Sequence, residues 1–195
     1  MGEANPQIII IAGPNGAGKS TVAPFLLRDR FGVMNYVNAD TIANGLAAFA
    51  PEKFAVEAGR IMLKQLHELA ERQADFAFES TLASRFHANW LRKLDQQGYI
   101  FHLFFLWLRS PEIAIQRVKE RVRMGGHSIP EEVIRRRYTK GIKNFFDLYQ
   151  PLAQTWAVYD NSSSNGMILL ADGMKQLFLN IYETDLWTKF FELKK

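Results

Sequence analysis

Apolar positions along the chain switch between two periods. Gln7–Ala12 is a continuous apolar run centred on Ile8-Ile9-Ile10-Ile11, the pattern of a strand buried on both faces. Residues 31–37 predict a second, weaker strand, and residues 75–79 a short third one. Residues 99–108 predict a long fourth, 155–159 a fifth and 167–171 a sixth. Between them the spacing becomes helical. A helix over 22–30 carries Val22, Phe25 and Leu26 on one face, with Pro24 near its first turn. Residues 51–71 follow, with Phe54, Ala58, Ile61, Met62, Leu66 and Leu69 at helical intervals, after a loop-like stretch at 45–51. Residues 84–97 form a helix closed by Gly98. Ser110-Pro111-Glu112 starts another, which runs to about Met124. After Gly125-Gly126, Ser128 and Glu131 have capping-box spacing for a helix that reaches about Tyr149, with a break expected near Gly141. Residues 177–193 predict a closing amphipathic helix.

Strands alternating with helices imply an α/β fold with a mostly parallel sheet, in one domain spanning 1–195. Such sheets bind ligands at the carboxyl ends of their strands, which puts Asp40, Glu79, Thr81, Arg109 and Asp160 forward.

The first strand runs into Gly13-Pro14-Asn15-Gly16-Ala17-Gly18-Lys19-Ser20-Thr21, which fits the phosphate-loop spacing. Glycines let successive backbone N–H groups turn toward phosphate oxygens, and the following helix presents its positive end. Lys19 is placed to reach the β- and γ-phosphates, and the Ser20 hydroxyl to hold Mg²⁺. Nucleoside triphosphate binding is the expectation.

Composition narrows the picture less. A 195-residue chain with 48% hydrophobic and 23% charged residues is an ordinary globular domain. The formal net charge of +4 is too mild to suggest nucleic-acid binding, although arginines cluster between Arg109 and Arg137. The absence of cysteine excludes disulfides and thiolate metal sites. The first residues lack a basic n-region, and the apolar runs at 8–12 and 99–108 are too short for a signal peptide or a span. A soluble cytoplasmic protein is expected, with Mg²⁺ arriving on the nucleotide rather than in a protein-built cage.

Asp40 follows the second strand, where it serves either as base for an acceptor hydroxyl or as the N-cap of a helix beginning at Thr41. Glu79 ends an apolar strand and suits a water of the Mg²⁺ shell, a sugar hydroxyl, or a plain salt bridge. Arg117 and Arg121 share a helix face, Arg123 follows two positions on, and Arg135, Arg136 and Arg137 lie beyond the glycine pair. Arginines on both arms of a helix–Gly-Gly–helix suit a lid over phosphates, in a segment at about 117–140. Glu131 with Arg135 and Glu132 with Arg136 are equally good surface pairs. His127 is either a lid contact or polar filler in a turn.

Together these segments resemble the zeta toxin family of P-loop kinases, in particular its solitary, toxin-like bacterial branch described as predicted ATPases. The likeness rests on the phosphate loop, on Val37-Asn38-Ala39-Asp40 and on Phe76-Ala77-Phe78-Glu79-Ser80-Thr81-Leu82. It continues through residues 125–138 and through Trp156-Ala157-Val158-Tyr159-Asp160-Asn161-Ser162, and covers roughly residues 7–170. It implies a nucleotide-kinase-like fold and phosphorylation, with ATP and Mg²⁺, of the 3′-hydroxyl of the sugar in UDP-N-acetylglucosamine. On that likeness Asp40 would be the catalytic base, and Lys19 and Ser20 would hold phosphate and metal. Glu79 and Thr81 would contact the acceptor, and Arg121 or Arg123 with Arg136 would clamp phosphate. The toxin pattern has an arginine two residues after the threonine; this chain has Ala83 there, with Arg85 the nearest substitute. Toxins of the family are neutralised by a separate helical protein. A kinase acting on a small-molecule hydroxyl is the leading expectation. A polynucleotide 5′-hydroxyl kinase and an acceptor-free nucleotide-binding ATPase or switch are the alternatives.

Overall fold

The computed structural model describes residues 5–47, 51–175 and 178–194. Its strands are β1 (Gln7–Ala12), β2 (Tyr36–Val37), β3 (Phe76–Ser80), β4 (Ile100–Trp107), β5 (Thr155–Asp160), β6 (Ile168–Met174) and β7 (Phe178–Ile181). They pair in the order β2-β3-β1-β4-β5-β6-β7. The first five are parallel, and β6 and β7 extend the sheet antiparallel. β1 is central, and Ile8 to Ala12 are wholly buried between β3 and β4, as the unbroken apolar run requires. Helices α1 (Lys19–Pro24), α2 (Ala39–Leu46), α3 (Ala55–Glu71), α4 (Phe86–Gln96), α5 (Pro111–Arg123), α6 (Glu131–Asn144) and α7 (Thr184–Glu192) complete the fold.

Several local expectations change in the folded chain. The first helix begins at Lys19 and widens into a π-helical turn over Phe25–Phe31. Pro24 has no N–H to offer the preceding turn, and the widening starts directly after it. The expected second strand shrinks to the two-residue β2, since Phe31 closes that turn and residues 32–35 are irregular. Gly45 lies inside α2 rather than in a loop, while 48–50 fall outside the described residues. The expected closing helix divides into β7 and the shorter α7, with Leu177 outside the described residues. Hydrogen bonding to β6 recruits that stretch into the sheet, and α7 packs Trp187 and Phe190 against Phe105, Trp107, Phe145 and Trp156.

The helices flanking the glycine pair are anchored at their outer ends. Ser110 caps α5 by accepting from the Ile113 N–H. Tyr138 of α6 is buried, donates to the Leu108 carbonyl at 2.7 Å and accepts from Trp107 Nε1 at 3.1 Å. α6 does not break at Gly141, because that glycine lies against the Thr81 carbonyl; the helix widens only at Phe145–Tyr149. The expected capping box does not form. Pro130 occupies the cap position, and Glu131 instead pairs with Lys119 of α5 at 2.6 Å. Arg135 likewise reaches Glu112 at 2.6 Å rather than Glu131. These exposed pairs stitch α5 to α6, each contributing at most about 1 kcal/mol. Among the described residues, no helix is long and apolar enough to cross a membrane.

Candidate active site

The chain leaves β1 through a turn only glycine can make. Gly13 has φ +141, and a Cβ there would lie 2.2 Å from the Leu106 carbonyl oxygen of β4. Gly16 has φ +77 and packs against α5, where a Cβ would meet the Ala114 carbonyl at 3.0 Å. From outside, the Asn161 side-chain amide donates to the Ala17 carbonyl at 2.8 Å, and Arg117 reaches the Gly16 and Ser162 carbonyls. Arg109 and Asp160 are not part of the pocket. They pair with each other at 2.7 Å, Asp160 being almost fully buried, and hold the Asn161–Ser162 turn against the loop. Lys19 extends back along the loop and donates to the Gly13 and Pro14 carbonyls at 3.0 and 2.9 Å. Burial lowers its pKa, opposed by the carboxylates of Glu79 and Asp40 and reinforced by Arg121 and Arg137.

Above this loop is a cavity of about 670 Å³. Asn15, Gly16, Gly18, Lys19, Ser20 and Thr21 form its floor, with Gly13, Pro14 and Ala17 buried behind them. Asp40, Glu79 and Thr81 face the loop from α2 and the end of β3. The far end is less polar, with Ala43, Ala55, Met62 and Val133. His87 also lies there, its pKa pushed down to about 4 by burial and by nearby His67, so it is neutral at physiological pH.

The base side is organised by Asn38, a residue the sequence reading passed over. Its side-chain oxygen accepts from the Asp40 and Thr41 N–H groups at 2.8 and 3.3 Å, so Asn38, not Asp40, caps α2. Asp40 is thereby released from capping, and its carboxylate enters the cavity. The Asn38 amide donates to Ser20 Oγ at 3.3 Å and Tyr36 Oη at 3.2 Å, and Tyr36 donates in turn to Glu79. Burial and that bond raise the Tyr36 pKa, so the phenol stays protonated. One buried amide therefore links the phosphate loop, α2 and the end of β3. An Asn at the cap position of Asn38-Ala39-Asp40-Thr41 was the available signal. Asn38→Ala should cost about 1 kcal/mol from the lost cap, a fall of roughly 2–4 °C in Tm by thermal melting. Asn38→Asp, which keeps the cap, should recover most of it.

Helix geometry sorts the arginines. Successive residues turn by about 100°, so Arg117 and Arg121 share a face while Arg121 and Arg123 point to nearly opposite sides. Arg117 and Arg121 line the cavity, whereas Arg123 is exposed beside a separate cleft of about 430 Å³ between α5 and α6. On α6 the cavity-lining arginine is Arg137, and Arg136 is exposed. Arg137 makes no ion pair among the described residues; burial and the adjacent Arg136 lower its pKa. Arg85 is exposed at the start of α4 and does not line the cavity, so it does not replace the guanidinium absent at Ala83. Lys19, Arg117, Arg121 and Arg137 thus face Asp40 and Glu79, an excess of positive charge suited to polyphosphate.

A phosphate loop ending the central parallel strand, opposite a freed carboxylate in a cation-lined pocket, places this chain among the P-loop kinases, which are ATP-dependent phosphotransferases. Within that class it belongs to the zeta toxin family, which matches residues 2–169. An uncharacterized protein of Haemophilus influenzae is 30% identical over 132 residues, 68% of this chain and 92% of that protein. Among solved structures, the AvrRxo1-ORF1:AvrRxo1-ORF2 complex with sulphate ions superposes with TM-score 0.79 at 14% identity, over 99% of this chain and 66% of that one. The same complex with ATP gives 0.75 at 13% identity, over 99% and 65%. The chain therefore spans just under two thirds of those chains. The PezAT chromosomal toxin-antitoxin system of Streptococcus pneumoniae gives 0.64 at 16% identity, over 98% of this chain and 80% of that one.

Proposed function

We propose that this kinase transfers the γ-phosphate of ATP to a hydroxyl of a small molecule in the cytoplasm, with Asp40 as general base. The observation that carries the reading is Asp40 itself, freed by Asn38 and lining the same open cavity as Lys19. The volume accommodates a nucleotide together with a small acceptor. The acceptor O–H gives its proton to the Asp40 carboxylate as its oxygen bonds to the γ-phosphorus. The bond from that phosphorus to the β-phosphate oxygen breaks, and ADP leaves. Lys19, Arg121 and Arg137 neutralise the charge that gathers on the transferring group.

Mg²⁺ fits the donor set: the Ser20 hydroxyl, oriented by the Asn38 amide, and the Glu79 carboxylate are both hard oxygen donors beside the loop. Ser20 would hold the ion, which would offset charge on the β- and γ-phosphates. Glu79 and Thr81 border the acceptor side. The family resemblance points to a UDP-amino sugar such as UDP-N-acetylglucosamine, while the missing guanidinium at Ala83 makes that one candidate of a panel. An antitoxin-like protein partner belongs to the same proposal and rests on the likeness to PezAT.

Incubation with γ-labelled ATP and a panel of UDP-sugars, sugars and nucleosides should label one acceptor class. Tight nucleotide binding with no labelled acceptor would refute the kinase reading. Arg137→Ala should lower transfer about 10–100-fold, the range of a charge-assisted hydrogen bond, whereas Arg136→Ala should stay within about twofold. Equal effects in steady-state kinetics would contradict the sorting of these arginines.

A further inference from the structure

Of the two readings the sequence allows for His127, a lid contact or polar filler, the fold favours the first by bringing it against Asp40. The Gly126 N–H donates to the Arg121 carbonyl at 2.9 Å, turning the chain back over the end of α5. A Cβ on Gly126 would lie 2.7 Å from Arg121 Cγ and 3.0 Å from its carbonyl oxygen, so the turn depends on glycine. This turn projects His127 across the cavity toward α2. Its Nε2 is 3.8 Å from Asp40 Oδ1, while Arg121 Nη1 is 3.7 Å from Asp40 Oδ2. Arg121 Nη2 also donates to the His127 carbonyl at 3.3 Å, tying the two partners together. Each oxygen of the carboxylate thus faces its own nitrogen from one side of the pocket. The His127 side chain is 17% exposed, against 52% for Asp40, which is not the environment of a solvated turn residue.

We infer that His127 is a positioning residue for Asp40, and that its protonation withdraws the carboxylate from use as a base. The inference rests on the proposed role of Asp40. As a neutral imidazole, His127 bounds the carboxylate and leaves a lone pair for the acceptor proton. As an imidazolium it holds Asp40 in an ion pair, which makes the carboxylate less basic and ties it to the loop at 125–130. The other charged groups facing the pair are Lys19 of the phosphate loop, Glu79 of β3, Arg117 and Arg121 of α5 and Arg137 of α6. Among these side-chain types, histidine is the one whose charge ordinarily changes near neutral pH.

The sign is fixed by charge. The Asp40 carboxylate favours the imidazolium, and the imidazolium favours the carboxylate; this coupling is reciprocal. In the full chain, histidine side-chain NMR would follow four imidazoles, His127 being identified by its loss in His127→Gln. Asp40→Asn should lower the His127 midpoint by about one pH unit, leaving His67, His87 and His102 unmoved. His127→Gln should raise the carboxyl midpoint of Asp40, followed by ¹³C, by the same amount. An unmoved His127 midpoint in Asp40→Asn overturns the pairing. Neither arm needs ATP or an acceptor, so failure of the kinase reading would not be confused with failure here. With the acceptor that the labelled-ATP panel identifies, the wild type should lose kcat as pH falls through the His127 midpoint. His127→Gln should lack that limb with the KM for ATP unchanged; a limb that persists in this variant overturns the role.

Discussion

Asp40→Asn is expected to lower phosphoryl transfer by about 10²–10⁴-fold, the usual contribution of a positioned general base, while ATP binds as well as before or slightly tighter. The substitution keeps the size and position of the side chain, because the start of α2 is held by Asn38 through the N–H groups of residues 40 and 41. What disappears is the acceptor for the proton. Nucleotide affinity moves the other way, since one negative charge is removed from a pocket that takes a polyanion, and Arg121 and Lys19 lose a competing carboxylate. Initial rates with γ-labelled ATP, alongside calorimetry with a non-hydrolysable analogue, separate the two effects. Transfer within tenfold of the wild type would remove Asp40 from the role of base. So would a loss explained entirely by weaker nucleotide binding.

Gly141→Ala should destabilise the protein by about 3 kcal/mol, the upper part of the range for overpacking a close contact, or roughly 6–12 °C in Tm. Helix propensity alone predicts the opposite, since alanine is favoured over glycine by up to about 1 kcal/mol in a helix interior. At this position, however, the new Cβ would lie 2.3 Å from the Thr81 carbonyl oxygen. That oxygen belongs to backbone just beyond β3, and the segment is clamped by Asn144 donating to the Leu82 carbonyl and Tyr149 donating to the Ser84 carbonyl. Relief therefore requires α6 and the end of β3 to separate, which would shift Thr81 and Glu79 in the cavity and lower activity in the surviving folded fraction. Gly59 of α3 supplies the contrast, since nothing lies within 4 Å of a Cβ built there. Gly59→Ala should stabilise by about 0.5–1 kcal/mol. Thermal melts of the two variants should move in opposite directions; a neutral or stabilising Gly141→Ala would mean that α6 does not seat on Thr81.

Features governed by neighbours in sequence could be read without the fold. The four consecutive isoleucines, the glycine spacing before Lys19 and the Ser110-Pro111-Glu112 helix start all depend on backbone conformation within a few residues. Asp40, Glu79 and Thr81 could be singled out because strand ends meet on one edge of a parallel sheet, wherever the strands lie within it. Register and helix phase were less legible. Residues 178–181 have apolar spacing compatible with a helix, and it is antiparallel pairing with the edge of the preceding strand β6 that draws them into β7.

The sequence by itself determined a phosphate cradle, the strand–helix alternation that surrounds it and the acidic residues at the strand ends, because these follow from local conformational preference and hydrophobic period. Only the tertiary structure decided which arginines face the cradle, since Arg121 and Arg137 differ from Arg123 and Arg136 only in the direction a helix turns them. It also decided that the Asn38 amide reaches Ser20 of the phosphate loop and that His127 lies against the Asp40 carboxylate. Those outcomes depend on contacts between separate segments of the chain, and no local spacing carries that information.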